Sequence, residues 1–116
     1  VRARLHGMAD AYIAFAEESP HRFALVFGPC PAERRPDDDL GARAAEALLS
    51  VSGELVGPQR ALFFAEAAWS LVHGYTMLRL AEQFRMNPEH EAGIRYSLDL
   101  LIDAAGPHPP APSPPP

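Results

Sequence analysis

Apolar residues recur every three or four positions along most of this chain, which is the spacing of one buried helix face. Over residues 3 to 18 the pattern is Leu5, Met8, Ala9, Tyr12, Phe15 and Ala16. Ser19-Pro20 ends that run, because the residue before proline resists the α region. Ser19 is then placed to cap a short second helix, with Pro20 at its first position and Gly28-Pro29 as its stop. Residues 29 to 37, "PCPAERRPD", read as a loop. The acids of "DDDL" suit a helix N-terminus, and Leu40, Ala44, Ala47, Leu48, Val51 and Leu55 follow at helical spacing as far as Gly57-Pro58. A long helix is predicted from about 59 to 85. Asn87-Pro88 then opens a last helix with Ile94, Leu98, Leu101 and Ala105 on one stripe and Leu100 and Ala104 on a second. No stretch alternates with period two for long enough to make a strand, so the fold class predicted is all-α.

The long helix carries more apolar surface than one face can hold. Leu62, Ala65, Trp69, Val72, Thr76 and Leu80 form one stripe; Phe64, Ala68, Leu71, Tyr75 and Leu78 form another. A third stripe is small: Ala67, Ser70, Gly74 and Ala81. Glycine inside a helix costs roughly 1 kcal/mol relative to alanine, and a small stripe offsets that by letting another helix approach closely. The segment is long enough to cross hydrocarbon, but Glu66, His73 and Arg79 would all need partners in lipid, so a membrane role is not expected. Two apolar faces on each of the last two helices point instead to one face packed within the protomer and the other against a second copy, closing a symmetric four-helix interface.

Composition narrows the function classes. The 116 residues suffice for one domain with one core. Ten arginines, no lysine and 15 acids give a formal charge of -5, which is no footprint for direct nucleic-acid binding. Cys30 is the only cysteine, so no intrachain disulfide is possible and a reducing compartment, the cytoplasm, is expected. The chain starts at Val1 already in helical pattern, as expected for a piece of a longer protein. The organisation expected is one domain over residues 1–105 and a disordered or polyproline II tail over 106–116, "GPHPPAPSPPP".

"WSLVHG" at 69 to 74 fits the Trp-x-x-x-His-Gly signature in the C-terminal domain of one branch of the TetR family of bacterial transcriptional repressors. "AYIAFAEESPHRFALVFG" at 11 to 28 is similar to that branch's first helix and its Pro-led short helix ending in Phe-Gly. The order of five helices agrees, so the resemblance covers about residues 3 to 105. It implies a five-helix bundle whose last two helices pair with those of a second copy, making a homodimer. It also implies a pocket in each protomer for a small apolar or aromatic effector. DNA contact would belong only to an N-terminal helix-turn-helix module outside this chain, reading each half-site in the major groove.

Under that resemblance the pocket is expected to draw on Phe23, Phe27, Trp69, His73 and Met77, aromatic walls with one polar group and one adaptable thioether. The dimer contact is expected at Ala67, Ser70, Gly74, Ile94, Leu98 and Leu101. His73 either donates a ring N–H inside the core or touches the effector. A metal site is not expected, because no second histidine stands at i+3 or i+4 and Glu66 with His73 makes only two ligands. No cofactor is implied. Two other readings stay open: a dimerisation module without a pocket, and a small helical enzyme using His73 beside Glu66, for which no orienting partner or nucleophile is evident.

Overall fold

The computed structural model describes residues 1–29, 32–34 and 40–105. Among these are five α-helices and no strand: α1 (Arg2–Glu18), α2 (Pro20–Phe27), α3 (Leu40–Val56), α4 (Ala61–Leu80) and α5 (His90–Ala105), with one 3-10 turn at Ala32–Arg34. The all-α expectation therefore holds. The proline-rich tail, Cys30 and the aspartates ahead of Leu40 lie outside the described residues. No helix among the described residues is long and apolar enough to cross a membrane.

α4 is the central helix and packs on α1, α3 and α5. Its enclosed residues are Ala61, Phe64, Ala65, Ala68, Val72 and Thr76, part of each large stripe rather than the whole of either, with Ala61 from neither. Leu62, Leu78 and Leu80 of those stripes stay exposed. The core continues through Leu5, Ala9 and Ile13 of α1, Val51 and Val56 of α3, and Ile94, Leu98 and Ile102 of α5. Ile13 and Ile102 complete i, i+4 runs that begin at Leu5 and Ile94. Two hydroxyls are buried with them and satisfied locally. Ser52 Oγ donates to the Leu48 carbonyl at 2.6 Å, and Thr76 Oγ1 donates to the Val72 carbonyl at 2.7 Å.

Helix ends explain where the sequence expectations shift. α4 stops at Leu80, not near 85. Glu82 takes a left-handed φ of 58°, its N–H donates to the Arg79 carbonyl, and the Gln83 N–H reaches the Leu78 carbonyl at 2.9 Å. This is a Schellman closure, which usually carries glycine at the left-handed position; with glutamate there, no glycine marks the end. Asn87 accepts the Glu89 N–H at 2.9 Å through its side chain, so it forms a turn and α5 begins only at His90. Ser19 makes no side-chain cap on α2; its carbonyl accepts the Phe23 N–H instead. The α3–α4 corner is closed by Gly57 at φ 86°, a conformation that favours glycine.

Charged side chains tie the bundle from outside. Arg2 bridges Asp99 and Asp103, while Arg95 pairs with Asp10 at 2.9 Å, so α1 and α5 run antiparallel. His6 Nε2 donates to Asp99 at 2.8 Å. Arg79 holds Glu17 at 2.6 Å and Glu91 at 3.6 Å, linking the end of α1, the end of α4 and the start of α5. Glu17 is thus an ion-pair partner rather than a freely solvated acid.

Candidate ligand-binding site

The Pro-led helix α2 places Phe23 and Phe27 one turn apart on a single face. Both rings meet Tyr12 of α1, with centroids at 5.2 and 4.9 Å. Trp69 and His73, one turn apart on α4, close the cluster. Phe27 lies edge-on to Trp69 at 5.9 Å, and Phe23 stacks on the His73 imidazole at 5.9 Å and 19°. Such pairs are worth about 0.5–1.5 kcal/mol each beyond area burial, so α2 is clamped to α1 and α4 by aromatic contacts rather than by length.

A polar chain runs through the middle of this cluster. Trp69 Nε1–H, which can only donate, reaches the Tyr12 hydroxyl oxygen at 3.3 Å. The Tyr12 hydroxyl and His73 Nδ1 are 2.6 Å apart. Burial pushes the Tyr12 pKa up, partly offset by the Trp69 N–H, so the phenol keeps its proton. Trp69 therefore donates to Tyr12, and Tyr12 and His73 share a hydrogen bond whose direction follows the imidazole tautomer.

On one side of Trp69 lies an apolar cavity of about 80 Å3, walled by α1, α3, α4 and α5. Leu5, Met8, Ala9 and Tyr12 form one wall, and Ala44 and Leu48 another. Ala68, Trp69, Val72 and Leu98 complete it. Tyr12 and Trp69 are the two lining side chains with a nitrogen or oxygen atom. On the other side of Trp69 is a shallow open depression formed by Phe27, Glu66, Trp69, Ser70 and His73. Trp69 is shared by both.

The expected pocket residues divide accordingly. Trp69 lines the apolar cavity. Phe27 and His73 line only the open depression, and Phe23 is buried behind the imidazole. Met77 lines neither and is 44% exposed on the outward side of α4. Tyr12, Met8, Ala44 and Leu48 line the cavity although the sequence marked them only as helix-face residues. A signal for Tyr12 existed in its spacing from Leu5 and Met8, but no pattern reveals which way a hydroxyl points.

The expected dimer residues divide too. Ala67 and Ser70 are exposed, and a Cβ added at Gly74 would meet nothing within 4 Å. Ile94 at 5% and Leu98 at 1% exposure are inside the protomer, and Leu101 packs against the same core. Ile94 and Leu98 therefore have no surface to give a second copy. The outward stripe of α5 is the other one, with Tyr96, Leu100 and Ala104 exposed. The sequence showed both stripes of α5 and nothing in it ranked them.

Among the described residues no three His, Cys, Asp or Glu side chains converge to hold a metal ion. No curated protein and no solved structure gives a significant match to the chain. A family model does: "Tetracyclin repressor-like, C-terminal domain" matches residues 5–104, from the first turns of α1 to the last turn of α5. A cavity between helices that the sequence pattern makes one bundle, and a match spanning that whole bundle, lead to one conclusion: the chain belongs to the tetracyclin repressor-like family, as its C-terminal domain.

Proposed function

We propose that this domain senses a small molecule in the cavity beside Trp69 and dimerises through α4 and α5, as the regulatory part of a TetR-type transcription regulator. The apolar cavity carries this reading: four helices line it and none of its walls bears a charge. A purely structural module gains nothing from an apolar space left unfilled between its helices. An occupant would press on α1 through Met8 and Tyr12 and on α3 through Ala44 and Leu48. Buried residues of α3 are confined to Val51, Ser52 and Val56, so its first half is the wall that yields. Ligand preference for one arrangement of about 1–3 kcal/mol would change a coupled affinity 5- to 150-fold.

Dimerisation is supported by the outward face of α4. Phe63 is 72% exposed and is followed by Ala67, Ser70, Gly74 and Leu78 at steps of three or four residues. On α5, Tyr96 at 66% and Leu100 continue an apolar surface. Small residues between large ones let two helices approach closely. In sedimentation at micromolar concentration the chain is expected as a dimer and the Phe63→Glu variant as a folded monomer. A monomeric native chain would refute the dimer. A panel of neutral hydrophobic compounds is expected to raise Tm by mass action; a flat panel would favour a structural module instead.

A further inference from the structure

The polar chain Trp69–Tyr12–His73 has unequal links, and the inequality bears on which ligands the cavity takes. The Tyr12–His73 contact is short at 2.6 Å, whereas Trp69 Nε1 lies 3.3 Å from the Tyr12 oxygen, at the weak end for N–H donation. Tyr12 and His73 hold each other at the shorter of the two distances. The indole N–H is therefore the donor most readily released to a competitor.

We infer that the effector is an uncharged, compact apolar molecule carrying one hydrogen-bond acceptor, such as a ketone or ester, and that Trp69 Nε1–H is the group that recognises the acceptor. This rests on the sensing role proposed above and goes beyond it by naming the ligand class and the group that reads it. The walls exclude charge: Leu5, Met8, Ala9, Ala68 and Val72 offer no counter-ion, and burying an unpaired ion is far more costly than burying a carbonyl. The size limit follows from the cavity itself. At about 80 Å3 it is roughly half of an apolar cavity known to admit benzene, about 150 Å3. A single-ring ligand fits once the first half of α3 moves outward, and a fused-ring one demands a much larger rearrangement.

Trp69 is the only tryptophan, so the chain gives a single indole N–H signal in a proton–nitrogen correlation spectrum. Acetophenone, ethylbenzene, benzoate and benzylammonium would be titrated into the full chain, with Tm measured in parallel. The two neutral compounds are expected to raise Tm, and only acetophenone to move the indole proton downfield. Benzoate and benzylammonium are expected to leave Tm unchanged, their binding at least about 100-fold weaker. Tyr12→Phe removes the competing acceptor and should tighten acetophenone relative to ethylbenzene by about 2- to 10-fold, the worth of one hydrogen bond. Trp69→Phe should shift the same ratio the opposite way. Stabilisation by acetophenone with the indole signal moving no more than it does with ethylbenzene would overturn the assignment to Trp69 and leave the sensing role standing. Equal stabilisation by the charged compounds would overturn the ligand class. Four compounds without effect on Tm would overturn both.

Discussion

Leu98→Ala tests the assignment of that residue to the protomer core. Leu98 is 1% exposed and forms part of the wall of the 80 Å3 cavity. Truncation removes three carbons, and at about 0.8 kcal/mol each the lost transfer free energy is about 2.4 kcal/mol. The new space then adjoins the existing half-open cavity, so the walls have less to collapse onto. At about 24 cal/mol per Å3, every 40 Å3 left open adds about 1 kcal/mol. The expected loss is about 4 kcal/mol, in the upper half of the range for buried leucines. Against a total of about 5–15 kcal/mol this is a large fraction, and for a domain of this size it lowers Tm by at least about 16 °C. Urea unfolding with an unchanged m-value would measure it. Ethylbenzene should restore part of the lost Tm, since the enlarged cavity accommodates it without displacement of α3. A loss below about 2 kcal/mol would refute the enclosure of Leu98. A variant that kept its stability and lost its dimer would put Leu98 on the subunit face instead.

Other substitutions probe the remaining elements. Tyr12→Phe strips His73 Nδ1 of its hydrogen-bond partner and Trp69 of its acceptor, and should lower the urea midpoint by an amount equivalent to about 1–3 kcal/mol; an unmoved midpoint would show the chain of bonds to be idle. Glu82→Gly relieves a left-handed residue that costs about 1–2 kcal/mol and should raise Tm, whereas a fall would mean that the glutamate side chain itself stabilises the closure. Gly74→Ala adds a methyl that meets nothing in the protomer, so helix propensity gains up to about 1 kcal/mol there; a weaker dimer in sedimentation, with a more stable protomer, is the result expected of a seam position. The Asp99 carboxyl is held below its ordinary value by hydrogen bonds from His6 and then Arg2, and the Glu54 carboxyl by Arg4. Because these folded-state values are depressed, their contribution is complete above the ordinary carboxylate range and is lost as pH falls through it to the folded values. Both groups are exposed, so the acid loss of Tm should shrink in high salt, and Asp99→Asn should flatten it further; an unchanged acid limb in that variant would remove Asp99 from the account.

Much of the architecture was legible in the sequence because helix signals are local. The i, i+3, i+4 pattern of α1, Pro20 at the start of α2, and Gly57 at the α3–α4 corner each act within one or two turns. Spacing also marked the small stripe of α4 through Gly74 as distinct, and "WSLVHG" with its flanking helices pointed to the family that the match over residues 5–104 establishes. Tertiary structure alone decided which of several apolar stripes turns inward. α4 is apolar on nearly every side, so its burial is set by where α1, α3 and α5 lie and not by its own pattern. The same limit applied to α5, where Ile94 and Leu98 went to the core and Tyr96 and Leu100 to the surface. The end of α4 escaped notice because a glutamate, not a glycine, holds the left-handed position. The cavity and the Trp69–Tyr12–His73 chain were also beyond the sequence. Tyr12 stands 57 residues from Trp69 and 61 from His73, and a bond across that distance exists only once two helices have packed. Periodicity determines which residues a helix can bury; only the neighbours it meets determine which it does, and where a space is left among them.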